Sequence, residues 1–239
     1  MPQNNKIIRT FTNMAPDYEK TVDSELHHFW GWSYKGFVDK LLEITTLNHD
    51  DIVLDIATGT GVIPDRLVDE GLDGNKIYGL DITLSMLKYA KLRFCNKKSQ
   101  DQVSLVCATA MNMPYTNDTF SLVICGLATH HMSVEELLAE INRILQNNGR
   151  LSIIDAGGTS FWYIPGVKFL LRLAAFIYFS LTKGSLRAWA EASAVSNVRT
   201  IKGWNSLLLS SGFTSIKIRK LKSKFAWIST PIIVQAVKI

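Results

Sequence analysis

The chain has 239 residues, of which 47% are hydrophobic and 20% charged. That balance excludes general disorder, and at this length no disulfide or metal staple is needed to complete a core. Three cysteines (Cys95, Cys107 and Cys125) without C-x-x-C spacing argue against a disulfide framework or a cysteine zinc site, and a reducing, cytoplasmic setting is expected. The polar start Met1-Pro2-Gln3-Asn4-Asn5-Lys6 argues against a secretory signal. Net charge is +5, but residues 1–150 carry 14 Lys+Arg against 19 Asp+Glu, while 151–239 carry 12 against 2. Nucleic acid, an anionic membrane surface, an acidic substrate or a plain solvated face can each account for such a basic third.

Residues 1–50 read as helical, with apolar periodicity at Ile7, Ile8 and Phe11 and again at Phe37, Leu41, Leu42 and Ile44. A β-branched run, Asp51 to Ile56, is then closed by Ala57-Thr58-Gly59-Thr60-Gly61, and a helix begins at Val62. Lys76–Asp81 reads as a strand, Leu84–Phe94 as a helix, and Val103–Cys107 and Ser121–Cys125 as further strands. Val134–Leu145 reads as a helix and Arg150–Asp155 as a fifth strand. Strands alternating with helices predict βαβ units and a parallel sheet, and the apolar strands fit burial on both faces. After a helix over Ile201–Leu209, the segments Ser215–Lys220 and Ile232–Lys238 leave no room for a crossover, so an antiparallel hairpin is expected at one sheet edge. The fold expected is therefore a Rossmann-like doubly wound α/β sheet of about seven strands with a helical cap. Its parts are an N-terminal cap segment (1–50), a core (51–160), an apolar helical cap insertion (161–200), and a final helix and hairpin (201–239).

The turn after the first strand is of the nucleotide type: glycine lets the backbone reverse near a ligand, and a helix N-terminus offers free N–H groups. A dinucleotide fingerprint would need glycine at Pro64, and no Gly-Lys-Ser/Thr follows for a phosphate loop. Asp81 ends the second strand, 20 residues after Gly61. There it can accept both hydroxyls of an adenosine ribose, or simply cap the next helix.

Val53-Leu54-Asp55-Ile56-Ala57-Thr58-Gly59-Thr60-Gly61 resembles motif I of class I S-adenosylmethionine (SAM)-dependent methyltransferases. Tyr78 to Leu87 resembles the ribose motif that follows it, with Thr83 in a serine place. Ala108 to Tyr115 with Asp118–Ser121 resembles the adenine-side segment, and Leu137 to Leu151 the helix and turn before the fifth strand. Less specifically, Phe11–Tyr18 and His28-Phe29-Trp30 resemble the N-terminal helices of the ubiquinone/menaquinone-biosynthesis methyltransferases. Natural-product small-molecule methyltransferases are similar in pattern. The sequence departs from these patterns at Thr109, where an acidic residue is usual, at Asn147-Asn148 before Gly149, and at His131, which puts a quinone substrate in doubt.

The resemblance implies SAM as cofactor and S-adenosylhomocysteine as product. It places Gly59 and Gly61 against the methionine and ribose, has Asp55 orient the loop and its waters, counts Ala57 among the cofactor-binding residues, and puts Asp81 on the ribose hydroxyls. Ile82 and Met86 would pack on the adenine, Thr109 and Ala110 line its edge, Gly126 face the methionyl part, and Tyr18 act as a lid or as a packing residue.

Because SAM carries its own leaving group, the enzyme's work is orientation, plus deprotonation where the acceptor needs it. Gly126-Leu127-Ala128-Thr129-His130-His131-Met132 follows the fourth strand and lacks the Asn/Asp-Pro-Pro-Tyr element of amine methylators. His130 or His131 is a candidate general base with Asp155 as orienting partner, and the pair can equally be a structural connection. A metal is not expected, because adjacent histidines at a strand end point apart and no carboxylate cluster accompanies them.

The stretch 161–200 is the unusual part. Fifteen residues, Val167–Leu181, are interrupted by only Lys168, Arg172 and Ser180, which is too short and too charged to span a bilayer. Burial against the sheet or in a homodimer competes with a cap that selects a lipophilic acceptor and touches anionic membrane. The function expected is SAM-dependent methylation of a small, lipophilic or aromatic molecule by a cytoplasmic or peripherally membrane-bound enzyme. The alternatives are an RNA methyltransferase with Lys217, Arg219, Lys220, Lys222 and Lys224 as phosphate footprint, and a silent SAM-binding regulator.

Overall fold

The strands bury both faces, and their alternation divides the core. Leu54, Ile56, Val123, Cys125, Leu151 and Ile153 pack on one side of the sheet, and Val53, Leu122, Ile124 and Ile154 on the other. The computed structural model describes residues 2–95, 103–225 and 229–239. In chain order, helices α1 (Pro2–Met14), α2 (Tyr18–Phe29) and α3 (Tyr34–Ile44) precede β1 (Val53–Ile56). Then come α4 (Val62–Asp69), β2 (Ile77–Asp81), α5 (Leu84–Cys95), β3 (Ser104–Cys107), β4 (Phe120–Gly126), α6 (Val134–Ile144) and β5 (Leu145–Gly158). The chain ends with α7 (Val167–Lys183), α8 (Ser185–Ala194), β6 (Arg199–Thr200), α9 (Ile201–Ser210), β7 (Phe213–Lys220) and β8 (Ser229–Lys238).

The sheet order is β3-β2-β1-β4-β5-β8-β7, with the short β6 beside β5. β1 to β5 run parallel, and β8 is antiparallel to both β5 and β7, so the doubly wound sheet with its antiparallel C-terminal strands is present. Strand order reverses between β1 and β4, and the crevice beyond the carboxyl ends of such a pair is where open α/β sheets bind ligands.

Two elements differ from the sequence reading. β5 starts at Leu145 rather than at Arg150, because Leu145 pairs with Phe120 before a register shift and Asn148 supplies a left-handed residue (φ 64°). The N-terminal fifty residues hold three helices rather than two periodic runs, the third capped by Ser33, whose side chain accepts from Gly36 N. β7 is an edge strand with Lys217, Arg219 and Lys220 exposed along it, and lysine on an edge discourages strand addition. Of the basic footprint considered for RNA, Lys217, Arg219 and Lys220 thus lie three strands away from β4, and Lys224 is tied to His27 O near the end of α2. Among the described residues, no helix is long and apolar enough to cross a membrane.

Candidate active site

The loop after β1 is built on positive backbone angles at alternate residues: Ala57 (φ 57°), Gly59 (56°) and Gly61 (80°). At Ala57 that conformation is strained for a residue with a Cβ, and such strain concentrates at functional sites. Leu127, just past the neighbouring β4, shares it (φ 55°). Gly59 lines the crevice, whereas Gly61 does not. A Cβ at Gly61 would lie 2.9 Å from Phe94 and 3.0 Å from Ala90, so this glycine serves close packing of the loop on α5 instead of contact with a ligand.

The loop is tied down from two sides. Asp81 Oδ2 accepts from Gly59 N (2.9 Å) and Asp81 Oδ1 from Thr83 N (2.7 Å), which leaves each carboxylate oxygen a further lone pair. From α2, Glu19 accepts from Thr60 Oγ1 (2.8 Å) and pairs with Arg93, whose Nε donates to Thr60 O (2.9 Å). Beneath the loop, Asp55 is fully buried, and neither of its oxygens has a hydrogen-bond partner; Thr58 Oγ1 is likewise unpartnered. Burial pushes the Asp55 carboxyl up to about 8, little offset by the nearby Thr58 hydroxyl, with the Asp81 charge adding to the rise.

The crevice above is lined by Tyr18, Ala57, Gly59, Asp81, Ile82, Met86, Thr109, Ala110 and Gly126. Every cofactor residue expected from sequence is there except Asp55 and Gly61, which lie under it. Ile7, Phe11, Met111, Leu127 and Met132 are also in the wall; each stood in a segment singled out from sequence, but none was expected to touch the cofactor. The adenine-side segment is held by α6: Glu140 accepts from Met113 N (2.8 Å), and Arg143 donates to Tyr115 O (2.7 Å) and Met113 O (3.0 Å). Tyr18 lies over the loop, its ring 3.7 Å from where a Gly59 Cβ would stand. Burial above all, then the Asp81 charge, pushes its phenol up.

His130 and His131 form a single turn (Thr129–His131) after β4. Asp155, fully buried on β5, accepts from Thr129 Oγ1, His130 N (3.2 Å) and Ala156 N (2.6 Å), and its Oδ1 lies 2.5 Å from His130 Nδ1. Burial works to lower the His130 pKa, but the Asp155 charge and hydrogen bond outweigh it and hold the imidazole above its ordinary value. His131 is pushed well below its ordinary value by burial, then by His130 and Arg187. Its ring packs edge-on to Phe11 at 5.2 Å.

The expectation that the two rings diverge without a carboxylate is corrected. Their centroids are 4.3 Å apart, and Glu191 joins them, its Oε1 3.8 Å from His131 Nε2. The helix α8 that brings Glu191 lies 60 residues further along the chain, so strand-end geometry alone did not reveal it.

A second cavity, of about 490 Å³, adjoins the crevice. Phe29 and Trp30 from the end of α2, Leu171, Ala174, Ala175, Tyr178 and Phe179 from α7, and Val195 and Val198 give it apolar walls, and both histidines line it. Phe11, Tyr18, Leu127 and His131 line the crevice and the cavity alike, and there the two meet.

The cofactor of the class I fold is SAM, and the crevice residues fit it. Asp81 retains acceptor capacity for a ribose, and Ile82, Met86 and Ala110 make an apolar slot.

Comparison with known proteins agrees. The methyltransferase domain family matches residues 54–153. A demethylmenaquinone methyltransferase of Lactobacillus johnsonii is 29% identical over 147 residues, covering 61% of this chain and 58% of that relative. The chain thus aligns with less than two thirds of that relative's length. Geranyl diphosphate C-methyltransferase from Streptomyces coelicolor, solved with Mg2+, geranyl diphosphate and S-adenosylhomocysteine, superposes with a TM-score of 0.74 at 13% identity. The match covers 100% of this chain and 99% of that one. The [4+2]-cyclase SpnF superposes at 0.65 with 16% identity, over 87% and 82% of the two chains. These likenesses establish the fold, and SpnF shows that the fold alone does not name the reaction. Residues 54–153 match the methyltransferase domain family, and the whole chain has the fold of the class I SAM-dependent methyltransferases.

Proposed function

We propose that this protein transfers the methyl group of SAM to a small lipophilic or aromatic acceptor seated in the second cavity. The observation that carries this is the junction at Phe11, Tyr18, Leu127 and His131, where crevice and cavity share walls. Bound SAM supplies an electrophilic methyl on a sulfonium. The chain's own contribution is to orient the acceptor and to shield the junction from water, with residues 161–200 serving as the cap. For an acceptor with an O–H or acidic C–H, the Asp155 carboxylate holds the proton on His130 Nδ1, which leaves Nε2 to take the acceptor's proton. The buried carboxylate favours His130 for this role over His131, which is held neutral against Phe11. Relatives named for demethylmenaquinone support a lipophilic ring acceptor as a class. Replacing His130 by Ala is expected to lower kcat about 10²–10⁴-fold while S-adenosylhomocysteine affinity is kept; full activity in that variant would remove the base from the reading.

The cap also supports a site of action at a membrane surface. On α7, Leu171, Ala174, Ala175 and Tyr178 line the cavity, Ala174 and Tyr178 while still exposed, and Phe169, Leu170, Leu173, Phe176, Ile177 and Leu181 are exposed away from it, Leu181 to 83%. An apolar face of that size on a monomer marks an interaction surface. Residues 156–190 hold Lys168, Arg172, Lys183 and Arg187 and no acidic residue, which complements an anionic bilayer rather than a second copy of this basic segment. Salt-sensitive co-sedimentation with phosphatidylglycerol vesicles, lost in Leu170→Glu/Leu173→Glu, is expected. A concentration-dependent dimer that buries α7, or no vesicle binding by folded protein, would overturn it.

A further inference from the structure

The cavity is apolar on most sides, yet one region of its wall gathers Glu25 of α2, Arg187 and Glu191 of α8, and His131. Arg187 Nη2 lies 2.9 Å from Glu25 Oε2 and 3.0 Å from Glu191 Oε1. Its guanidinium also packs over the rings of Phe11 (5.8 Å) and Phe179 (5.9 Å), so the cation is fixed in place. One guanidinium faces two carboxylates while His131 is neutral, which leaves the cluster a formal charge of −1. Lys183, which also acts on Glu25, is exposed to solvent, and the neighbouring dyad of a neutral His130 with the Asp155 carboxylate adds negative charge rather than offsetting it.

The cluster is also incomplete. Glu25 Oε1, Glu191 Oε1 and Arg187 Nε are cut off from solvent without a hydrogen bond, although Glu191 is ion-paired with Arg187. Groups of this kind are costly to bury unless a partner completes them. Glu191 Oε1 already meets Arg187 Nη2 at 3.0 Å, so the open positions are one acceptor, Glu25 Oε1, and one donor, Arg187 Nε, which a head that donates and also carries a lone pair, such as a hydroxyl, can complete. Burial above all raises the Glu25 pKa, with Glu191 adding to it and Arg187 and Lys183 opposing.

We infer that Glu25, Arg187 and Glu191 anchor the head group of the methyl acceptor, selecting a lipophilic molecule whose head is neutral or cationic and donates hydrogen bonds (a hydroxyl or an ammonium) and rejecting an anionic head such as a carboxylate or diphosphate. The assignment rests on the second cavity being the acceptor site. An anion entering would meet the uncompensated carboxylate in a low-dielectric wall, where like charges repel strongly. A donor head would satisfy Glu25 while its tail fills the space beside Phe29 and Tyr178. This is a different head from the diphosphate in the Streptomyces structure of similar fold.

The test uses three probes with one tail (decanol, decylamine and decanoate) titrated into the full chain loaded with S-adenosylhomocysteine. Emission from Trp30 and Trp162, which line the cavity, reports binding. Decanol and decylamine are expected to bind saturably, and decanoate about 10- to 100-fold more weakly, the size of a charge-assisted hydrogen bond gained or lost. In Glu25→Gln/Glu191→Gln the cluster charge becomes +1, and the order of decylamine and decanoate should invert while S-adenosylhomocysteine affinity stays. If that variant does not fold, Glu25→Gln alone, with a neutral cluster, should abolish the discrimination. Equal binding of the three probes, or an unchanged order in the variant, would overturn the anchor alone. Binding of none of them would overturn the cavity assignment and the anchor with it. Saturable Zn2+ or Mn2+ binding that depends on Glu191 would reassign the cluster as a metal site.

Discussion

Amidation of Asp155 separates a catalytic dyad from a structural turn. The carboxylate is fully buried; one oxygen accepts from Thr129 Oγ1 and His130 N, and the other meets His130 Nδ1 and Ala156 N. An asparagine can be seated in two ways. With its oxygen toward Thr129, its NH2 faces Nδ1, so the imidazole proton shifts to Nε2 and the base is blocked. With its oxygen toward Nδ1 the tautomer survives, but the imidazolium formed on proton transfer has lost its counter-ion. Either way kcat should fall about 10²–10⁴-fold. The pH profile gives an independent readout. In the wild type, Asp155 holds His130 above its ordinary value, so activity rises with pH through a pKa above about 6.5. In Asp155→Asn, burial is opposed only by the weaker Glu191 charge, and the acid limb moves to lower pH. The assay is kcat/KM against pH for label transfer from methyl-labelled SAM to hydroxylated aromatic acceptors, with S-adenosylhomocysteine affinity measured by calorimetry. That affinity should hold, because Asp155 does not line the crevice. A variant within about threefold of wild type at every pH would refute the dyad and leave proximity as the mechanism.

Asp81→Ala should weaken S-adenosylhomocysteine binding about 10- to 100-fold in calorimetry, since it removes an acceptor from the crevice and the clamp on Gly59 N. Gly61→Ala forces a Cβ to within 3.0 Å of Phe94 and Ala90 at φ 80° and should cost about 1–3 kcal/mol in denaturant unfolding. Asp55, about 8 when folded and about 3.9 unfolded, binds the extra proton in the folded state. Cofactor-free stability should therefore fall as pH rises from about 4 to 8, by up to about 1.4 kcal/mol per unit, and level off above. Asp55→Asn should flatten that slope, and identical slopes in the two proteins would show that Asp55 is not buried as a neutral acid.

Much of the fold was legible because a parallel sheet buries both faces of its strands, so runs such as Leu122 to Cys125 stand out from the amphipathic helices between them. The crevice was legible too, since its ligands lie at the ends of successive strands, and Ala57, Gly59, Asp81 and Gly126 sit at fixed offsets from those ends. Gly61 lay in the same motif, but its reason is packing against Ala90 and Phe94, which spacing does not reveal. The acceptor side was hardest to read. Arg187 and Glu191 are four apart and legible as a helical pair, but Glu25 reaches them only through the fold, across 162 residues. Nor does periodicity say which stripe of α7 faces the cavity, because both are apolar. Leu127 carried no chemical signal; its positive φ at the junction became visible only with the backbone.

The most direct test of the central claim is a crystal structure of the protein with S-adenosylhomocysteine. The ribose should lie on Asp81 and the adenine between Ile82 or Met86 and Thr109 or Ala110. The sulfur should face the junction of Tyr18, Leu127 and His131, open to the second cavity. A ligand bound elsewhere, or a sulfur turned away from that cavity, would contradict it.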